Sequence, residues 1–196
     1  MNDSKGHRDG LEKDCGKSLR DKKMNGKLTF RAPRGQYLDA KFLPMPLPSI
    51  FTPEVGDQVI ARINQLTPQS KPIWGKMNVA QMLAHCNVTY EMTFDHKHAK
   101  PNGFARFLLK LFVKKTVVSE TPYTKNSRTA PAFLIVDERV YETEKERLIQ
   151  YIRKVYHMGA GAFEGKESHS FGPLTSLEYN NMFYKHLDHH LSQFGV

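Results

Sequence analysis

Thr175-Ser-Leu-Glu-Tyr-Asn-Asn-Met-Phe-Tyr-Lys-His-Leu-Asp-His-His-Leu-Ser-Gln-Phe-Gly195 is the stretch on which the fold reading turns. Thr175 with Glu178 three residues on is a capping box, in which each side chain satisfies a backbone N–H at the helix start. Gly195 is the residue type that takes the left-handed conformation ending a helix. Between them His186 follows the apolar stripe of Met182 and Phe183, so it should face the core. His186 and His190 are four apart, which places them one turn and about 40° apart on one face. Their Cβ atoms then lie about 5–6 Å from one another, a spacing at which two imidazoles can grip one metal ion. The pair invites comparison with the H-E-x-x-H helix of metalloproteases. Leu187 stands where that motif carries its general base, so peptide hydrolysis by that route is disfavoured.

Three more helices are predicted upstream. Thr52 caps a helix with Pro53 at its first position and Glu54 in its first turn. Its stripe is Val55, Val59, Ile60, Ile63 and Leu66, and Thr67-Pro68 ends it. Asn78 and Gln81 form a second capping box, opening a helix with Val79, Met82, Leu83, Cys86 and Tyr90 on its buried face. That helix is expected to run to about Phe94. His85, on its mostly apolar flank beside Met82, Thr89 and Met92, is the natural third ligand to join His186 and His190, since an unpartnered buried histidine is costly. The third helix begins near Tyr141, with Glu142 and Glu144 early and Leu148, Ile149, Ile152, Val155 and Tyr156 on one stripe. It stops at Gly159, and Gly159–Gly165 reads as a flexible loop.

A long connection links the second and third of these helices. It holds a short amphipathic helix with Phe104, Phe107, Leu108, Leu111 and Phe112 on one side and Arg106, Lys110, Lys114 and Lys115 on the other. The expectation is a crossover helix packed by its Phe/Leu side with a solvated basic face. Nucleic-acid or membrane-surface contact by this helix is the less favoured reading. The run Ala132–Val136 reads as extended chain packing on helices. No strand partner is apparent, and the expected fold is all-α, a four-helix bundle with a long crossover carrying a short extra helix.

The charge supports a division of the chain. Of 196 residues, 29 are Lys or Arg and 20 Asp or Glu, a net of +9. Residues 1–44 carry eleven of the basic and six of the acidic residues, few aliphatics and no sustained periodicity. They are expected to be a disordered basic extension, with Met24 and Met45 as alternative starts. Residues 45–196 form the expected domain. The apolar runs Phe107–Leu109 and Ala132–Val136 are far short of the roughly 20 residues that span a bilayer. Cys15 and Cys86 cannot make a disulfide framework. A soluble, cytoplasmic protein is the expectation, with a small-molecule substrate, no nucleic-acid or membrane partner, and a homodimer as a plausible assembly.

Residues from about 45 to 196 resemble the DinB/YfiT-like superfamily of metal-binding four-helix bundles. The resemblance rests on Pro72-Ile-Trp-Gly-Lys-Met-Asn-Val-Ala-Gln-Met-Leu-Ala-His-Cys86, on His169-Ser-Phe-Gly-Pro-Leu-Thr175, and on Tyr184–Gly195. It implies an up-down-down-up arrangement and a divalent metal held by His85, His186 and His190. Three imidazoles leave coordination positions open, as catalytic rather than structural zinc sites do. Imidazole ligands suit Zn, Ni or Fe alike. The resemblance further implies a metal-dependent enzyme that activates a low-molecular-weight thiol, or water, toward a small electrophile; thiol transfer leads and hydrolysis follows. The alternative is a non-catalytic metal-binding or partner-binding bundle. His169 and His189 are candidate neighbours of the site, Cys86 reads as core, and Trp74 as core or pocket wall.

Overall fold

The computed structural model describes residues 46–196 and, before them, the backbone of β1 (Thr29–Arg31) and β2 (Tyr37–Asp39), an antiparallel pair with Phe30 opposite Leu38. The rest of the expected extension over residues 1–44 lies outside the described residues. The chain divides into two units, Met1–Met45 and Pro46–Val196. The second unit is predominantly helical, in keeping with an all-α fold.

Helix α1 (Pro53–Gln65) begins where Thr52 Oγ1 accepts the N–H of Val55, and it buries Val59, Ile60 and Ile63. Gly56 lets it approach α5 (Tyr141–Met158) closely. A Cβ at that position would stand 2.3 Å from Cδ1 of Tyr156. Helix α2 (Val79–Tyr90) carries the predicted Asn78–Gln81 capping box and is buried almost all round, which marks it as central. It packs on α5 and on α6 (Ser176–Gln193), and α1 packs on the same two helices. The second predicted capping box, Thr175–Glu178, opens α6, and Gly195 has the expected positive φ of 77°.

One expectation holds in a modified form and three need correction. The second helix reaches the neighbourhood of Phe94 as expected, but its α-helical geometry gives way after Tyr90. A wider π-type turn, Glu91–Asp95, follows and stops at His96, whose φ is 53°. Within it Thr93 Oγ1 donates back to the carbonyl of Thr89 at 2.8 Å. The turn aims Glu91 at Arg147 and His98, pairings made across the fold that local periodicity does not report.

The segment 159–165 is not a free loop. Ala160–Phe163 makes a tight 3-10 turn, and Phe163 is fully buried against Phe51, Tyr179 and Phe183, with ring centroids 5.0, 5.2 and 5.7 Å away. Beyond it lie two short strands, β3 (Lys166–Ser168) and β4 (Gly172–Leu174), paired antiparallel with Ser168 opposite Gly172. Gly172 has φ +80° and Ser168 Oγ accepts the N–H of Phe171, which together turn the chain. Strands of three residues are too short to show a period-2 pattern.

The second correction concerns the crossover. It forms α3 (Gly103–Phe112) and α4 (Lys114–Val118), with Val113 between. The Phe/Leu side of α3 faces outward, and of the basic residues Arg106 and, at the start of α4, Lys114 turn to the protein while Lys110 and Lys115 stay exposed. Arg106 pairs with Glu167 on β3, and Lys114 Nζ lies 2.7 Å from Glu178 on α6. Specific ion pairs therefore set the orientation that periodicity alone had suggested the other way. Third, Ala132–Val136 starts in a 3-10 turn (Pro131–Phe133) and alternates. Phe133 and Ile135 are half-buried, whereas Leu134 and Val136 point outward.

Glu144 also does more than complement the start of α5. It is buried, accepting from Asn87 Nδ2 at 2.8 Å and from Arg147 Nη1 at 2.8 Å. A buried carboxylate is tolerated because these donors replace water. Among the described residues no helix is long and apolar enough to cross a membrane.

Candidate metal centre

His85 comes from the middle of α2, and His186 and His190 from one face of α6. One ring nitrogen from each lies within 4.8 Å of the others. The ring centroids are 4.9 Å apart for His85–His186, 4.5 Å for His85–His190 and 4.8 Å for His186–His190. His85 and His190 are buried and His186 is half-buried.

Each imidazole is held from behind through Nδ1. His85 Nδ1 lies 2.8 Å from the carbonyl oxygen of Phe133, which can only accept, so the proton sits on Nδ1 and Nε2 keeps its lone pair. His190 Nδ1 lies 2.8 Å from Oε1 of Gln193. Gln193 cannot be turned the other way, because its Nε2 donates to the carbonyl of Trp74 at 2.7 Å. His190 therefore also donates from Nδ1 and presents a free Nε2. His186 Nδ1 meets the Thr89 hydroxyl at 3.1 Å. Such partners behind each ring are what metal-ligating histidines require for tautomer and aim.

Nε2 of His85 and Nε2 of His186 are 3.0 Å apart. Two lone pairs cannot face one another at that distance unrelieved. Either His186 carries a proton on Nε2 and donates it to His85, or a cation stands in place of that proton. Nitrogen ligands of one tetrahedral ion, each about 2.0–2.1 Å from it, lie about 3.3 Å apart. The donor set is thus of the type and spacing that holds a divalent cation.

Burial lowers the basicity of all three rings. It dominates at His85, partly offset by the Phe133 carbonyl and reinforced by His189. His186 falls well below the ordinary histidine value, through burial and then through His190, His85 and His189. His190 is pushed down to about 3 by burial and His85, against the opposing bond to Gln193. At neutral pH the cluster is three uncharged imidazoles, the protonation state that binds metal.

The other candidates are distributed differently. His189 stands beside the cluster, its ring 5.0 Å from that of His190 and edge-on to Trp74 at 5.8 Å. His169 is engaged elsewhere. The turn between β3 and β4 carries it to the carbonyl of His98, 3.2 Å from Nε2, and to Ser170 Oγ. Cys86 is buried with Sγ 3.8 Å from Met82 Sδ, and burial raises its thiol far above the ordinary range, so it is core.

A cleft of about 190 Å³ is lined among others by Trp74, Tyr123, Lys125, Lys185, Asp188 and His189; His189, whose ring neighbours that of His190, links it to the cluster. The ring of Tyr123 in the cleft wall is edge-on to His186 at 6.4 Å and to His189 at 5.7 Å. Lys125 lies over the Trp74 ring, 4.1 Å from its centroid. Lys185 is buried in the wall, donating to the carbonyls of Thr116, at 2.8 Å, and Ser119. Its burial pushes the amine down to about 8. The cleft is smaller than the roughly 300–1,000 Å³ typical of drug-sized ligands and suits a small molecule.

Sequence reasoning found the three histidines but not the groups behind them. Gln193 and Thr89 left a signal, one three residues after His190 and the other four after His85, both same-face positions. The Phe133 carbonyl, Tyr123 and Lys185 left none, because distant parts of the chain bring them in.

No curated protein and no solved structure matches the chain. A family model matches residues 51–195, which span α1 to α6 and all three histidines, and the chain belongs to the family described as protein of unknown function (DUF1569).

Proposed function

We propose that His85, His186 and His190 hold a divalent metal ion and that the chain is a metal-dependent enzyme, a thiol transferase acting on a small electrophile. The observation that carries this reading is the convergence of the three rings, each fixed through Nδ1 by Phe133, Thr89 or Gln193. A metal bound by three neutral nitrogens would supply Lewis acidity at an open position, lowering the pKa of a thiol or water. The protein's own residues would do the rest. The cleft beside His189 admits a small substrate, with Trp74 and Tyr123 as apolar walls. His189 has its basicity lowered chiefly by burial, with Asp188 opposing, so it is neutral at pH 7 and able to take a proton at the cleft wall.

In this reading α1, α2, α5 and α6 are the four helices of a DinB/YfiT-like bundle in up-down-down-up order. Support comes from the residues quoted above and from the packing of α1 and α2 each against α5 and α6. Zn, Ni and Fe all suit the ligands. A second reading, a metal-binding bundle without turnover, is favoured by one observation. None of the three histidines is among the residues that line the cleft, which His189 alone of the neighbouring histidines reaches.

The test is turnover by the metal-loaded full chain, with glutathione as the thiol and a panel of aryl halides and epoxides, alongside ester hydrolysis. The proposal expects thioether formation that chelation or His186→Ala abolishes. Metal bound stoichiometrically with no turnover in any arm would leave the non-catalytic reading in its place.

A further inference from the structure

Helix α3 is amphipathic in the reverse of the usual sense. Phe104, Phe107, Leu108, Leu111 and Phe112 recur at the i, i+3, i+4, i+7, i+8 spacing of one helical face. They are 73, 60, 37, 60 and 70% exposed. On the other side, Arg106 pairs with Glu167, and just beyond the helix Lys114, the first residue of α4, pairs with Glu178. Leu109 packs on the core. The helix is thus held by Arg106, Leu109 and the ion pair of Lys114, and a continuous aromatic and aliphatic face is presented to the surroundings. A patch of this kind on one element marks an interaction site.

The charge around the patch selects its occupant. From His96 to Ser119 there is no Asp or Glu, and six residues are Lys or Arg. Lys100, Lys110 and Lys115 are exposed and make no salt bridge among the described residues. A second copy of the chain meeting this face about a two-fold axis would bring like charges together, because such a contact is self-complementary. An anionic lipid surface has no such conflict. Its headgroups complement the lysines and its acyl boundary accepts the Phe and Leu side chains. At ten residues α3 is about 15 Å long, enough to lie in the interface and far too short to span it. We propose that α3 docks the protein on an anionic membrane surface, with Phe104, Phe107, Leu111 and Phe112 inserted at the headgroup boundary. The proposal stands independently of the metal centre.

The experiment is co-sedimentation of the full chain with vesicles of phosphatidylcholine alone and of phosphatidylcholine with phosphatidylglycerol, with size-exclusion chromatography in parallel. Because the substituted side chains are exposed, Phe107→Ser/Leu111→Ser leaves the fold intact, which circular dichroism checks. The expected result is binding to the anionic vesicles that weakens with salt and falls by about tenfold or more in the variant. Three results would each overturn the proposal. The wild type could ignore anionic vesicles. The variant could bind as well as the wild type, placing the contact elsewhere, for instance in the basic residues 1–44. Or the wild type could run as a dimer that the variant converts to a monomer, making the face a self-association surface.

Discussion

Acidifying the metal-free protein should unfold it at a pH where most domains are still stable, and the histidine cluster fixes the size of the effect. His190 titrates at about 3 in the folded chain, against 6.5 for an unperturbed imidazole. A histidine whose folded pKa is depressed contributes nothing to pH dependence above about 6.5, where both states are neutral. Below that, the unfolded chain takes a proton that the folded chain refuses, and stability falls by about 1.4 kcal/mol per pH unit until the folded pKa is reached. At pH 5 His190 alone therefore costs about 2 kcal/mol, and His186 and His85 are shifted in the same direction. Against a total of about 5–15 kcal/mol, that is a large fraction. The assay is urea unfolding of chelator-treated protein at several pH values between 7.5 and 5, compared with His190→Gln, whose amide cannot titrate. The stability gap between wild type and variant should close by about 2 kcal/mol from pH 7 to pH 5. Added zinc should push the wild-type loss to lower pH, because metal binding requires the neutral rings of the folded state. Identical pH dependence in the two chains would refute the reasoning, since it would mean that His190 takes its proton as readily folded as unfolded.

Two further outcomes follow from single contacts. Gln193→Leu removes the acceptor that holds His190 Nδ1 and the donor to the Trp74 carbonyl; metal affinity, measured by competition with a chromogenic chelator, should fall about 10–100-fold while the helix content is kept. Gly56→Ala drives a Cβ into the Tyr156 ring and should cost about 1–3 kcal/mol in a thermal melt. In a Tyr156→Ala background the same substitution should cost much less, and an equal cost would place the strain elsewhere.

The parts legible in the sequence were those written in local patterns. The boxes at Asn78–Gln81 and Thr175–Glu178 marked two helix starts because the capping residues are neighbours in the chain. The His186–His190 pair was legible because helical geometry converts a four-residue spacing into a shared face. His85 was accessible for a related reason, a histidine on a flank otherwise apolar. What local pattern cannot carry is direction. The five apolar residues of α3 announce an amphipathic helix, but Glu167 and Glu178, more than sixty positions away, decide which side meets the protein. The β3–β4 hairpin escaped because three-residue strands have too few positions to show alternation, and Gly165 and Gly172 read as breaks. The π-type turn after Tyr90 keeps a near-helical pattern and differs only in its hydrogen bonding. The carbonyl of Phe133 behind His85 is a backbone group, so no side chain advertises it.

The most direct test of the metal centre is the metal content of the full chain after incubation with zinc, nickel or ferrous iron and removal of unbound ions, measured by inductively coupled plasma mass spectrometry. The account predicts a single tightly held ion per chain for at least one of these metals, lost in His85→Ala, His186→Ala and His190→Ala but kept in His169→Ala, whose ring is turned to His98. A folded wild-type chain that retains none of the three metals, or a His186→Ala chain that retains as much as the wild type, would contradict it.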